Sequence, residues 1–123
     1  LSMVCSLLGT PHWPRIQGGI LFVEEVGEHP YRIERMLLQL HQAGVLDRQK
    51  AVLVGQVSHV KAAPHDHGYT LKSALAAVQS RTRTPLLAGL PHGHEATKVC
   101  LPVGAKAQLV VEGRDVMLAW GHV

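Results

Sequence analysis

Three short apolar runs most constrain what this chain can fold into. Residues 20–23 (ILFV), 50–56 (KAVLVGQ) and 84–90 (TPLLAGL) are each of strand length. Between them lie two segments whose apolar residues recur at helical spacing: Ile33, Met36, Leu37 and Leu40, then Leu71, Ala74, Leu75 and Val78. Pro30 suits a first helical turn, Gly44 a helix end, and Thr70 an N-cap. After the third run the pattern changes. AKAQLVVEG and DVMLAWG flank a Gly-containing turn at residues 112–115 and read as a terminal hairpin. The expected order is strand, helix, strand, helix, strand, hairpin: an α/β domain with a mixed sheet and two main helices.

The 123 residues are enough for one domain with a core, and 46% hydrophobic with 17% charged residues is a globular composition. Two Trp, two Tyr and one Phe leave that core to aliphatic side chains. The net charge of +3 comes from scattered Lys and Arg without a basic run, and there are few rings on which bases would stack. No nucleic-acid surface is therefore expected. No segment approaches a membrane span, and no secretory signal opens the chain, so a cytoplasmic protein without a membrane partner is expected. Cys5 and Cys100 are too few for a disulfide framework or a four-thiolate zinc site. They fit a reducing compartment, as buried thiols serving as small hydrophobes.

The opening, LSMVCSLLGTPHWP, is an apolar segment that stops at Gly9 and Pro11 as a helix does at its C-terminus, yet it lacks a start signal. Residues 1–18 are thus expected to be a helix end and linker, and the chain the tail of a longer one. No repeat, low-complexity stretch or internal linker divides residues 1–123.

The chemistry-bearing residues gather at strand ends. Glu24, Glu25 and Glu28 follow the first apolar run, and His92 and His94 follow the third, among nine His in all. Loops at the ends of parallel strands are where open α/β sheets collect reactive groups. A carboxylate and an imidazole leaving adjacent strand ends can hydrogen-bond, which fixes the ring tautomer and stabilises the imidazolium. Glu24 and a His from this turn would then be two members of a nucleophilic triad. The same residues allow other readings. Any strand can end in Glu, and a His beside Gly is commonly a solvated loop residue. His65-Asp66-His67 and His92-Gly93-His94 have a His-x-His form that suits zinc, although no third ligand motif accompanies them. A phosphate loop is absent. So is a nucleophile: Ser2, Ser6, Ser58, Ser73 and Ser80 read as helical or loop residues, none in a glycine-flanked elbow.

GILFVEEVGEHPYRIERMLLQLHQAGVLDRQKAVLVG together with TPLLAGLPHGHEATKVCLPVGAKAQL closely resembles the C-terminal half of bacterial LD-carboxypeptidases, the muramoyltetrapeptide carboxypeptidases. The likeness runs from Leu1 to about Leu109, and the opening residues look like the stretch that follows a Gly-Gly-Asn turn in that family. The resemblance implies a small swivelling β/β/α domain of a two-domain serine peptidase with a Ser-Glu-His triad. Its Ser would lie in an N-terminal, flavodoxin-like nucleophile domain that these residues do not include. The family's Glu falls on Glu24 and its His on His94, while Glu25 and Glu28 are expected at the start of the following helix, favoured by its macrodipole. The implied reaction removes the terminal D-Ala from murein tetrapeptide, at the LD bond after meso-diaminopimelate, during peptidoglycan recycling in the cytoplasm.

No metal or cofactor is implied, a homodimer is, and the 123 residues alone are expected to be inactive. Tyr31, Arg32 and Arg35 match the family's helix pattern, with a structural ion pair the favoured role for the arginines. His92 departs from the apolar or aromatic residue expected there, and His65-Asp66-His67 is read as surface variation. The alternatives are a microcin C immunity-type peptidase of the same fold, a non-catalytic binding fragment and a zinc-binding domain.

Overall fold

A computed structural model describes residues 1–58, 68–90 and 99–121. It contains helices α1 (Ser2–Ser6), α2 (Pro30–Gln42) and α3 (Leu71–Gln79), a 3-10 turn at Leu46–Arg48, and strands β1 (Ile20–Val26), β2 (Ala51–Ser58), β3 (Leu86–Leu90), β4 (Ala107–Glu112) and β5 (Asp115–Trp120). The apolar runs became parallel strands because each must return to the sheet through a helix. β1, β2 and β3 lie in that order, all parallel.

Successive right-handed crossovers in one direction put both connecting helices on the same face of the sheet. α2 and α3 pack against each other there. Ile33, Met36, Leu37 and Leu40 of α2 and Ala74 and Val78 of α3 are buried, as their spacing requires. They close on Val23 of β1 and on Val52 and Val54 of β2. Being central, β2 buries Ala51, Val52, Leu53 and Val54 in succession, which explains its unbroken apolar run.

Local chemistry sets the element ends. Thr70 accepts a hydrogen bond from the Ser73 N–H at 3.1 Å and caps α3. The Gln79 amide closes the far end: its nitrogen donates to the Thr82 and Thr84 carbonyls at 3.0 Å, and its oxygen accepts from Leu86 N–H at 2.8 Å. Glu112 pairs with Asp115, so the hairpin loop is only Gly113 and Arg114, and Gly113 adopts the φ of +59° that a two-residue turn demands.

Parallel and antiparallel strands therefore both occur, but the hairpin forms a second, two-stranded sheet. It stands over the face of the first sheet that the helices leave bare. A cleft of about 410 Å³ lies between them, lined by Ile20, Phe22, Leu53, Leu118 and Trp120 with Lys50 and Lys106. A second hollow of about 260 Å³ continues past Leu87 and Leu90. Cys5 is buried as expected, its thiol donating to the Met36 carbonyl at 3.5 Å, with burial pushing its pKa up. Cys100 is exposed instead and lies in no helix or strand. Among the described residues no helix is long and apolar enough to cross a membrane.

Candidate active site

The parallel sheet sends the C-terminal ends of its three strands to one edge, and Glu24 lies near that edge but inside β1, which continues to Val26 instead of ending at Glu24. By the two-residue period of a strand it shares a face with Ile20 and Phe22, the face turned toward the hairpin. It is half-buried. β3 ends at Leu90 on the same edge, and His92 and His94 follow it in sequence. Those two residues, like His65, Asp66 and His67, lie outside the described residues. Among the described residues no group of three or more His, Cys, Asp and Glu is gathered as metal ligands.

β1, which carries Glu24, and β3, which His92 and His94 follow in sequence, are not adjacent. β2 runs between them, because sequential crossovers in one direction give the order β1-β2-β3. Two strand spacings amount to roughly 10 Å. Both ladders are irregular at this edge. Between β1 and β2 the register shifts between Val23 and Glu25. Between β2 and β3 it shifts after Ala88, where Gly89 takes φ +88°. Irregularities of this kind bend a strand and re-aim its side chains, and they are over-represented beside active sites.

The three acids separate into different roles. Glu28 precedes α2 and accepts an ion-paired hydrogen bond from Arg32 Nε at 2.8 Å, the helix-start role expected for it. Arg32 is thereby placed in a surface ion pair. Arg35 Nη1 donates to Gln39 Oε1 at 3.4 Å, and Tyr31 stacks on His29 with ring centroids 5.2 Å apart.

Glu25 differs from its expected role at the start of α2. It lies within β1 and is buried, on the face of Val23, where it serves the N-terminus of α1. Its Oε2 accepts from Ser2 N–H at 2.8 Å and its Oε1 from Val26 N–H at 3.2 Å. The Leu1 nitrogen is 3.5 Å from the same carboxylate. Burial pushes the Glu25 carboxyl upward, but the Ser2 and Val26 hydrogen bonds outweigh it and hold the group below its ordinary pKa. The signal for this was present in the alternation of Val23 and Glu25, which puts the acid on the inward face.

No Ser in these elements forms a strand-to-helix elbow: Ser2 and Ser6 are in α1, Ser73 in α3, and Ser80 at its C-cap. Ser58, expected in a loop, is the last residue of β2.

The model of the family described as LD-carboxypeptidase C-terminal domain matches residues 1–109. The crystal structure of muramoyltetrapeptide carboxypeptidase from Oxalobacter formigenes is similar with a TM-score of 0.94 and 45% identity, covering 98% of this chain and 42% of that one. The probable murein peptide carboxypeptidase of Bacillus subtilis is 33% identical over 121 residues, which cover 98% of this chain and 38% of that protein. The microcin C7 self immunity protein has a TM-score of 0.63 at 24% identity over 74% of this chain and 27% of its own, a likeness of fold alone. The chain thus spans well under half the length of these relatives.

Proposed function

The chain belongs to the family of LD-carboxypeptidase C-terminal domains, and from that premise we propose that it supplies Glu24 and His94 to a Ser-Glu-His triad whose Ser is carried by a preceding nucleophile domain. The observation that carries this reading is the position of Glu24 near the C-terminal end of β1 in a parallel sheet, at the same edge as the end of β3, which His94 follows in sequence. The length of the relatives, each more than twice that of the match, leaves room for the other domain.

The reaction is acyl transfer. His94 takes the proton from the Ser hydroxyl as that oxygen bonds to the carbonyl carbon of the amide between meso-diaminopimelate and the terminal D-Ala. The tetrahedral intermediate collapses by breaking the C–N bond, and His94 returns the proton to the departing D-Ala amine. Water, deprotonated by the same imidazole, then releases the tripeptide and regenerates the Ser. Glu24 orients the ring and stabilises its cationic form. The scheme uses no metal or cofactor. Peptidoglycan recycling in the cytoplasm, by a homodimer, is part of the same proposal and is supported by the resemblance to the family alone.

The test is D-Ala release from murein tetrapeptide by the full-length protein. His94→Ala should lower turnover by roughly 10³-fold or more, and Glu24→Ala somewhat less, as loss of a triad member does elsewhere. The 123-residue chain alone should release none. Turnover by that chain, abolished by changing one of its own Ser residues, overturns the two-domain triad. A folded full-length protein that releases no D-Ala, yet cleaves an acyl-sulfamoyl or peptidyl nucleotide, moves the assignment to a microcin immunity-type peptidase.

A further inference from the structure

Glu25 is a buried carboxylate that the proposed chemistry does not use, and it lies next to the residue that the chemistry depends on. One contact joins α1 to the end of β1: the Ser2 N–H donates to the Glu25 side chain at 2.8 Å, while the other Glu25 oxygen accepts from Val26 N–H at 3.2 Å. It grips the residue next to Glu24, where the β1–β2 register shifts between Val23 and Glu25. At a shifted step the ladder constrains the backbone less than a regular one does, and a side chain leaving it is aimed by whatever else holds the chain.

We propose that Glu25 is a positioning residue for Glu24: by tying the start of α1 to the exit of β1 it holds the backbone from which the Glu24 carboxylate projects toward the opposite face of the sheet. This rests on the reading of Glu24 as the triad acid. The two acids divide the work by strand alternation. Glu25 points into the helix layer, and each of its oxygens accepts from a main-chain N–H. Glu24 points to the hairpin side. The direction of the Glu25 pKa agrees, since a carboxylate kept ionised by N–H donors keeps those donors in place at neutral pH.

The chemical consequence is specific. An acid that orients a catalytic imidazole must be placed to within a fraction of an ångström, and a displacement of about 1 Å can cost about 10²-fold in rate. Substrate contacts made elsewhere would be untouched.

The experiment measures kcat and KM for D-Ala release by the full-length protein and its Glu25→Ala, Glu25→Gln and Glu24→Gln variants, with circular dichroism melts to establish that each is folded at the assay temperature. Glu25→Ala is expected to lower kcat by about 10- to 100-fold with KM within about twofold, the split that misplacement of a catalytic group produces. Glu25→Gln keeps one oxygen to accept the Ser2 N–H but loses the acceptor for Val26 N–H, so it should recover only part of that loss. A folded Glu25→Ala enzyme with wild-type kcat overturns the proposal, as does one whose kcat and KM are unchanged while only its melting temperature falls. If Glu25→Ala does not fold, Glu25→Gln decides alone: a kcat several-fold below wild type supports the role and an unchanged kcat overturns it. A wild type that releases no D-Ala, or a Glu24→Gln variant with full turnover, sinks the triad reading itself. A normal Glu25→Ala in an enzyme that needs Glu24 sinks only the positioning role.

Discussion

The two faces of the parallel sheet are covered in different ways. On the helix side, Leu37, Leu40, Leu46, Val52 and Val78 are wholly excluded from solvent, and every buried apolar residue among the described ones falls between Leu1 and Val78. On the hairpin side, Val99, Val103, Val111, Val116, Met117 and Trp120 are all exposed. The cause is topological. A sheet wound in one direction collects its crossover helices on one face, whereas a doubly wound sheet would cover both. What remains for the second face is a two-stranded ribbon, and such a ribbon is marginal by itself. The fold therefore has a rigid side that stores stability and an open side where Glu24 emerges.

The comparison breaks most readily in the core. Leu37→Ala should cost about 2–5 kcal/mol in a urea titration, because the side chain is fully enclosed and its cavity cannot collapse. A cost below about 1 kcal/mol would mean that the helix layer is no better packed than the hairpin.

Acid sharpens the contrast on the same side of the sheet. The Glu25 carboxyl sits below its ordinary value of 4.5 in the folded chain, so between the two values the unfolded chain binds the extra proton. Its contribution is complete above pH 4.5 and is lost as the pH falls through the folded value. Wild type should accordingly lose stability more steeply than Glu25→Gln below about that pH. Superimposable acid limbs in the two melts would contradict the hydrogen-bonded geometry.

The smallest effect belongs to the hairpin. Met117 is 53% exposed, and Met117→Ser should change stability by no more than about 0.5 kcal/mol. A larger loss would show that the hairpin contributes to the core after all.

Particular residues show how far the sequence could be read. The α2 face of Ile33, Met36, Leu37 and Leu40, the Thr70 cap and the Gly113 turn each follow from spacing or side-chain chemistry within a few positions, and each was legible. The strand that carries Glu24 follows from its apolar run, although it extends two residues further, to Val26. Sequence proximity points Glu25 to the helix that follows it, whereas it serves α1, more than twenty positions earlier. Cys100 and the supposed adjacency of the Glu24 and His strand ends were misjudged for a related reason: burial and strand order depend on what packs beside an element.

The sequence by itself determined the elements and their order, since helical and strand periods, caps and two-residue turns are local properties of the chain. Its resemblance over residues 1–109 also carried the family. Tertiary structure alone decided that β2 lies between β1 and β3, that the hairpin forms its own sheet, and that Glu25 belongs to α1. Those outcomes come from contacts between residues far apart in the chain, where the burial of whole faces overrides local preference.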